Sequence, residues 1–594
     1  MPTTQEHKQE LDNPPTESNV DSNEVELSAR RQPWAGRVVR WTRTAVHHLQ
    51  KHMGVGVVCA VAYFDPGNWS VDLQAGSEFG YDLLFVVLIA GVMAVVFQAM
   101  ASRLGCVTGL DLATHCRLLL YNRSRRPKLV RYLVLYPLYG LAELAIISTD
   151  LAELLGSATA LVLLFPRLPL WAGVLLTATD VLFILALGDP TRGRPVRVFE
   201  LLIAVLVAAV FASLIVVIAK VEPNIGEAFE GFAPSKALFA PGGLYTSVGI
   251  IGATVMPHGL FLGSSLATQD RISSPASKEV PPTIVPSASL PRPTTASSPS
   301  LTRRLTSFWR STLSTLRTTF SVSRLRYDPR NTDFPDCEKG HRSWVNNPLS
   351  FVRAHLWHGV VDVVASLLGF AVAINALILV LAAAVFYYGT SAASLTSAAS
   401  LFEAHDIIKT VVGKPAAVFF ALGLLCAGQS ASITATLAGQ VVSEGFLRWR
   451  ISPIFRRLIT RLIGLVPSML VAIIVGRRGV ASLLVASQVA LSIVLPFVAF
   501  PLVYLTSSKQ VMRVRRPRAV ADDSDEPSAG PWGGRRAHST IGEEVEVEAT
   551  CEEEDEWIDY SNGKVVMCVG YVIWAVVLVA NGYVLVTLAL GEGS

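Results

Sequence analysis

The chain has 594 residues, of which 51% are hydrophobic and only 16% are charged. Soluble proteins carry about 25% charged residues, so this composition favours a membrane protein. The net charge of +4 is small, and no basic patch alternates with aromatic residues, which argues against nucleic-acid binding. The seven cysteines are scattered without a CxxC pair, so the sequence predicts neither a disulfide framework nor a zinc site.

Apolar runs long enough to cross a bilayer, about 20 residues each, recur about eleven times along the chain. The predicted spans lie near residues 53–76, 82–104, 131–158, 169–188, 196–220, 242–268, 356–388, 413–446, 456–476, 480–507 and 564–590. They divide the chain into an N-terminal tail 1–52, helices 53–268, a loop 269–350, helices 351–507, a loop 508–563 and a last helix within 564–594. No cleavable signal peptide is visible in the tail.

Loops rich in lysine and arginine alternate with loops poor in them. This alternation places the N-terminus in the cytoplasm and the C-terminus outside. Arg477 and Arg478 are the exception, because they fall on the outer side. The loops 269–350 and 508–563 are rich in small polar or charged residues, so we expect them to be disordered and cytoplasmic. Solvated linkers are the preferred interpretation, and sites for a kinase or a ubiquitin-ligase adaptor are the alternative.

The first span contains Asp65-Pro66-Gly67-Asn68 in its middle. In a soluble protein these four residues would form a surface turn. Here twelve mostly apolar residues precede them, so the turn falls near the centre of the bilayer. A carboxylate there costs about 2.5–3.5 kcal/mol on insertion scales, and Pro and Gly free backbone carbonyls. A bound cation would satisfy both, so the sequence predicts an unwound helix facing a cation site.

The sixth span repeats this feature with Met256-Pro257-His258. Alone, it would be compatible with a proline kink beside a packing histidine. Two Pro-interrupted spans, each the first of five, are instead typical of a transporter with inverted repeats, whose interruptions mark the binding site. Oxygen donors alone would suit calcium, magnesium or manganese. The thioether of Met256 adds attraction for transition metals, so a divalent transition metal is the expected substrate.

Three acids in the third span, Glu143, Asp150 and Glu153, share one face of the predicted helix. Carboxylates inside a membrane helix are costly unless they face water, partners or a proton path. A proton route is one interpretation, and a buried ion-pair network with Arg461 of the ninth span is the other. His258 titrates in the relevant range and adjoins Met256, but a structural histidine is nearly as compatible with its position.

Several ordered motifs resemble the Nramp divalent-metal transporters, and within them the fungal branch. They are DPGN at 65–68, AELAIISTDLAELLGSATAL at 142–161, GATVMPHGLFLGSSL at 252–266, GQSASITATLAGQVVSEGFL at 428–447, RRLITR at 456–461 and SQVALSIVLPF at 487–497. The resemblance implies an all-α integral membrane protein with a LeuT-like fold, in which two inverted five-helix repeats are followed by an eleventh transmembrane helix. It also implies alternating access and metal–proton symport across the lipid bilayer.

The resemblance further implies which residues contact the metal and the protons. The metal ligands would be the side chains of Asp65, Asn68 and Met256, the carbonyls of Ala253 and Ala62, and Gln488. Asp150 and Glu153 match positions on a proton route that leads inward. Gly263 stands where many members have a second histidine, which puts that histidine's role in doubt here, whereas His258 is retained.

The expected function is therefore a proton-coupled carrier of Mn²⁺ and Fe²⁺, with these ions and H⁺ as substrates and no resident cofactor. The alternatives are a magnesium or amino-acid transporter of the same fold, or a membrane protein that senses metal without transporting it. An enzyme is not expected, because the sequence lacks a nucleophile–base set, a phosphate loop and a hydrolase motif. The membrane would be the plasma membrane or that of an endosome or vacuole.

Overall fold

The computed structural model describes residues 55–122, 126–185, 197–271, 341, 344–389, 400–448, 453–516 and 556–590. Within these ranges the chain is helical, apart from short connections and a two-stranded sheet. The predicted tail 1–52 and most of the loops 269–350 and 508–563 lie outside the described residues. The kinase and ubiquitin-ligase sites considered for the loops fall there too.

The first half of the chain forms eleven described α-helices before the long polar loop. They are α1 Val55–Val61, α2 Pro66–Phe79, α3 Leu84–Thr108, α4 Leu112–Leu120, α5 Pro127–Val130, α6 Tyr136–Leu164, α7 Leu170–Leu185, α8 Arg197–Val221, α9 Ile225–Glu230, α10 Gly243–Thr254 and α11 Pro257–Leu266. A π-helical turn at Arg131–Leu135 joins α5 to α6, and a 3-10 turn at Lys236–Phe239 precedes α10.

The second half contributes seven described helices and the short strands. They are α12 Leu349–Ser366, α13 Ala373–Ala382, α14 Leu401–Val411, α15 Lys414–Leu447, α16 Pro453–Ile474, α17 Arg477–Thr506, β1 Arg513–Arg515, β2 Trp557–Asp559 and α18 Lys564–Leu590. The π-helical turns Leu367–Val372 and Ala383–Tyr387 flank α13, so that α12 and α13 form one long membrane-crossing segment.

Eight of the described helical segments are long and apolar enough to cross a bilayer. The three remaining predicted spans, near 53–76, 169–188 and 456–476, coincide with α1 and α2, with α7 and with α16. The first of them divides because its helix is broken in the middle. Within α16 the apolar segment of described residues runs from Arg461 to Ile474.

Proline causes both breaks. Pro66 and Pro257 stand at the first positions of α2 and α11, where the missing N–H is not needed and the fixed φ angle suits the start of a helix. Each proline would remove a hydrogen bond from a continuous helix and would clash with the preceding turn. The chain therefore ends α1 at Val61 and α10 at Thr254 before a new helix begins.

The first break is held between α6 and α15, which approach it at glycines. A Cβ at Gly156 would overlap the ring of Pro66, and a Cβ at Gly428 would lie 3.3 Å from Cγ of the same proline. The small-residue stretch of α15 thus permits close helix packing, as its composition predicts.

Replacing Gly156 by alanine should therefore disturb the first break. A rigid proline ring and two packed helices leave no simple relaxation, and overpacking of this kind costs about 1–3 kcal/mol. Gly140→Ala is the matched control, because Gly140 lies on the same helix with nothing within 4 Å of its Cβ position. Thermal unfolding in detergent should show a lower midpoint for Gly156→Ala alone. Equal midpoints for the two variants would contradict the close contact.

The ends of the segment 508–563 are folded, which differs from the disorder predicted for all of it. Strands β1 and β2 pair antiparallel, with Val514 opposite Ile558. The ribbon is tied to the helices, since Arg103 Nε donates to the Tyr560 carbonyl at 2.8 Å and Asn562 Nδ2 donates to Thr506 Oγ1 at 2.8 Å. The C-terminal end of this segment is thereby anchored to α3 and α17.

Candidate metal site

The six predicted metal-contacting residues are all buried in the middle of the helical core. Their exposed fractions are 0% for Asp65, Met256 and Gln488, 1% for Ala62 and Asn68, and 2% for Ala253. A polar group at such positions is costly unless another group satisfies it. The arrangement of their donor atoms therefore decides what the site can bind.

The two prolines determine which carbonyls are free. In an α-helix the carbonyl of residue i accepts from the N–H of residue i+4. The residues four positions after Ala62 and Ala253 are Pro66 and Pro257, which have no N–H. Both breaks consequently leave the same kind of carbonyl without its helical donor, and these are the two carbonyls that the resemblance implies as ligands.

Asp65 caps α2 with one carboxylate oxygen. Its Oδ1 accepts from the backbone N–H of Asn68 at 2.8 Å, which fixes the side chain at the start of the helix. Within the described residues, Asp65 Oδ2 and both amide atoms of Asn68 have no hydrogen-bond partner. The two orphaned oxygens, Asp65 Oδ2 and Asn68 Oδ1, fit a bound cation that is coordinated by oxygen, and the Asp65 carboxylate offsets the positive end of the α2 dipole.

Gln488 reaches both breaks from α17. Its side chain occupies the position that a Cβ at Gly67 would take, and its backbone lies against Gly252, next to Ala253. Its Nε2 donates to Ser487 Oγ at 3.2 Å, while Oε1 has no partner among the described residues. Gln488 was assigned to the site from its motif alone. The structure places it against both broken helices.

Met256 is the cap residue of α11, in an extended conformation, and its side chain is fully buried. The start of α11 faces the first break, since a Cβ at Gly259 would lie 3.6 Å from Ala62 Cβ. In the described part of the chain, no three His, Cys, Asp or Glu side chains gather as a metal cluster. A metal here would instead use a single carboxylate, amide oxygens, carbonyls and the thioether, a mixed set that suits manganese or iron.

Asn375 of α13 adjoins the first break and is not among the residues predicted to contact the metal. Its Nδ2 donates to the Tyr63 carbonyl at 2.8 Å, and its Oδ1 has no partner within the described ranges. Asn375 therefore anchors α13 to the unwound segment. The available signal was a polar residue in an otherwise apolar span.

His258 contacts the third predicted span. Its Nδ1 lies 3.2 Å from Thr149 Oγ1, whereas its Nε2 has no partner in the described part of the structure. Thr149 precedes Asp150 on α6. His258 therefore contacts α6 at the residue before Asp150, and its hydrogen-bond partner there is the threonine.

Asp150 and Arg461 form a buried ion pair, with Nη1 3.4 Å from Oδ1. Arg461 also donates through Nη2 to Ser432 Oγ, which sequence reasoning did not connect to this group. Glu153 is fully buried one turn further along α6. Glu143 is only half-buried and lies about 10 Å along the axis from Asp150, so it stands apart. The ion pair with Arg461 is thus present.

Gln98 of α3 fills the space beside Gly263, where the resemblance would place a second histidine. A Cβ at Gly263 would overlap Gln98 Nε2. Tyr63 donates its hydroxyl to Gln98 Oε1 at 2.9 Å, and Gln98 Nε2 lies 3.3 Å from Cys59 Sγ. A glutamine that bridges α1 and the first break therefore occupies this volume.

The chain is similar to known metal transporters. A sequence model of the family described as natural resistance-associated macrophage protein-like, Nramp, matches residues 56–284 and 340–521. The manganese transporter pdt1 of Schizosaccharomyces pombe is 37% identical over 543 residues, covering 91% of this chain and 86% of that protein. The iron transporter SMF3 of Saccharomyces cerevisiae is 33% identical over 552 residues, covering 91% and 96%.

A solved structure of the Eremococcus coleocola manganese transporter is also similar. It has a TM-score of 0.60 and 26% sequence identity, and the match covers 90% of this chain and 85% of that one. The predicted all-α LeuT-like fold is confirmed, and so is the prediction that the protein is not an enzyme. From the paired broken helices, their buried donor set and these similarities, we conclude that this multi-pass membrane protein belongs to the Nramp family of divalent metal transporters.

Proposed function

We propose that the chain carries Mn²⁺ or Fe²⁺ together with protons by alternating access. The observation that carries this proposal is the meeting of two proline-broken helices. Their free carbonyls at Ala62 and Ala253 accompany the buried, partnerless Asp65 Oδ2 and the Met256 thioether. Such a set has one formal negative charge and one soft donor. It attracts a transition-metal dication and can still release it, as a carrier must.

Alternating access is supported by the closure of the site. No predicted ligand is more than 2% exposed, so an ion bound there would be closed off from both sides. On the inner side, α1 is fastened to α12, because the Gly56 N–H donates to Asp362 Oδ2 at 2.8 Å. Opening inward would require α1 to break this contact, and opening outward would require α2 and α10 to separate.

Proton coupling follows from the chemistry of the ligands. Metal binding needs the deprotonated Asp65 carboxylate, so a metal that binds there displaces a proton, and symport requires a second group that keeps this proton in the protein. The Asp150–Arg461 pair and Glu153 offer buried titratable groups on the adjoining helix. Moving one dication and one proton inward carries three charges, which is worth about 7 kcal/mol per 100 mV of membrane potential.

Uptake of radioactive manganese into proteoliposomes tests this function. We expect uptake to rise when the outside is made acid and to fall when the proton gradient is abolished by a protonophore. Iron should compete with manganese. If the properly inserted protein moves neither manganese nor iron, the metal-sensing alternative replaces the carrier. If magnesium is taken up instead, the same-fold magnesium transporter replaces it.

Arg461→Ala should weaken proton coupling more than metal binding. The change removes the guanidinium from Asp150 and Ser432 while leaving the broken helices untouched. Without the guanidinium, the buried Asp150 carboxylate loses this charge partner. We expect the stimulation of manganese uptake by external acid to fall severalfold, with the Kd for manganese changed by less than about threefold.

The matched control for this change is Arg477→Ala. Arg477 is exposed at the start of α17, with its guanidinium 4.7 Å from the Phe402 ring centroid. Acid stimulation of uptake equal to that of the wild type in Arg461→Ala would limit Arg461 to a structural role.

The orientation also belongs to this proposal. The positive charge of alternate loops favours a cytoplasmic N-terminus. Residues 508–563, and with them the β1–β2 ribbon, would then face the cytoplasm. The membrane would be the plasma membrane or that of an endosome or vacuole, and a cysteine-accessibility assay at Arg515→Cys would report the sidedness.

A further inference from the structure

The chain that follows the second broken helix is held by α12, and none of the roles above uses this contact. The Nε2 atom of His355, on α12, accepts from the backbone N–H of Arg271 at 3.2 Å and lies 3.3 Å from the Asp270 carboxylate. The His355 ring is itself fixed in place. Its Nδ1 lies 3.0 Å from the Phe351 carbonyl, and the two rings stack with their centroids 4.2 Å apart.

This contact does not depend on the charge of the histidine. A carbonyl only accepts hydrogen bonds, so Nδ1 of His355 carries a proton and donates to Phe351. When the ring is neutral, Nε2 accepts from the Arg271 N–H, and when the ring is protonated, Nε2 donates to the Asp270 carboxylate. His355 therefore holds the chain after α11 in either protonation state.

Asp362 lies on the same face of α12 as His355. The two residues are seven positions apart, which corresponds to about two helical turns and about 10 Å along the axis. Asp362 is 4% exposed and accepts from the Gly56 N–H at 2.8 Å, which is the contact that fastens α1. One face of α12 therefore meets both α1 and the chain that follows α11.

The charges of Arg271 and Asp362 act on the same part of α1. Cys59 of α1 is close enough to both side chains for each charge to act on its thiol, with opposite sign. A buried carboxylate such as Asp362 is costly unless a positive charge compensates it. The guanidinium of Arg271 supplies such a charge beside α1, and the Arg271 backbone is the part that His355 holds.

The inner ends of α11 and α12 share one support. Asn347, just before α12, donates through Nδ2 to the Cys106 carbonyl at 2.9 Å, and its N–H donates to the Val107 carbonyl at 3.1 Å. Near the same end of α3, a Cβ at Gly105 would overlap the Ser264 carbonyl of α11. Both helices are thus tied to α3, and together they form the surface against which α1 closes.

We propose that His355 is a positioning residue for the inner gate. It holds the chain after α11 against α12, so that the Arg271 charge stabilises the Asp362–Gly56 contact that keeps α1 closed. This inference rests on the proposed carrier function, since a gate presupposes alternating access. The end of the second broken helix thereby controls when the first one opens.

The thiol of Cys59 reports the position of α1. It is fully buried, and the Cβ position of Gly263 on α11 lies 3.3 Å from its Sγ, so a reagent reaches it only when α1 and α11 separate. We compare chains in nanodiscs without metal, in which Cys59 is the only cysteine. Alkylation by a membrane-impermeant maleimide should be about fivefold faster in His355→Phe, which corresponds to the loss of one hydrogen bond. Phenylalanine keeps a ring that stacks on Phe351.

Three further variants show whether the contact itself is responsible. Arg271→Gln should increase the alkylation rate of Cys59 as His355→Phe does, because it removes the charge beside Asp362. His355→Gln should restore the wild-type rate, since the glutamine oxygen accepts from the Arg271 N–H in place of Nε2. Arg353→Gln is the matched control. Arg353 is exposed on α12 two residues before His355, and its loss should leave the rate unchanged.

A second thiol distinguishes gate opening from a general loosening of the fold. Cys116 on α4 is 2% exposed, and as the only cysteine it should react equally with and without His355→Phe. An unchanged Cys59 rate in both His355→Phe and Arg271→Gln, or an equal increase at Cys116, would overturn the role of His355. Failure of the wild type to take up manganese or iron would overturn the carrier function instead, and the alkylation comparison does not depend on uptake.

Discussion

Manganese uptake is expected to fall by about a hundredfold or more in Asp65→Asn, which corresponds to at least about 2.8 kcal/mol. Asp65 is the one formal charge among the predicted ligands, and it is fully buried. At an effective dielectric constant of 20, a pair of unit charges 4 Å apart is worth about 4 kcal/mol, and more for a dication. An amide oxygen cannot supply that attraction, although it keeps the size of the side chain.

The same substitution preserves the local helix start. Asparagine caps helices about as well as aspartate, so α2 should still begin at Pro66. Asp406→Asn is a matched control, because the Asp406 side chain is 63% exposed on α14 and lies 3.3 Å from His405. Uptake rates would be normalised to inserted protein. Uptake by Asp65→Asn above half of the wild-type rate would remove Asp65 from the site.

Calcium should inhibit manganese uptake more strongly in Met256→Ala than in the wild type. The thioether attracts transition metals and gives little to calcium, so its loss leaves an oxygen site that suits calcium better. We expect the ratio of the calcium inhibition constant to the manganese KM to fall about tenfold, which corresponds to about 1.4 kcal/mol.

Met100→Ala is the control for a buried methionine. The Met100 methyl carbon packs near Gly570 of α18, away from the breaks, so its loss reproduces the cavity without changing a ligand. If the ratio of the two constants is the same in Met256→Ala and Met100→Ala, the thioether does not decide selectivity. A sulfur-seeking cation such as Cd²⁺ should lose affinity in Met256→Ala alone.

The sequence alone determined the two helix breaks, because their cause is local. Pro66 and Pro257 cannot continue a membrane helix, and the residues four positions earlier lose their hydrogen-bond donors for the same reason. The sequence also identified Asp65 as a candidate ligand, because a carboxylate in the middle of the membrane is costly unless a cation binds it. The lengths of the apolar spans predicted the membrane helices, and the charges of the loops predicted their orientation. The family could be inferred because its motifs coincide with these breaks.

Contacts between helices far apart in sequence were decided only by the tertiary structure. Periodicity gave no indication that Gln488 would lie against Gly67, that Asn375 would bind the Tyr63 carbonyl, or that Gln98 would take the space beside Gly263. Such pairings depend on how helices rotate and tilt against one another.

Burial without a partner is likewise a property of the folded chain. Asp72 has the same acidic side chain as Asp150 and also lies within a membrane helix. Only packing gives Asp150 the guanidinium of Arg461 and leaves Asp72 Oδ2 without a hydrogen-bond donor in the described part of the protein. Local sequence thus determined where the backbone had to break. The three-dimensional arrangement of the helices determined which polar groups meet, because it brings together residues hundreds of positions apart.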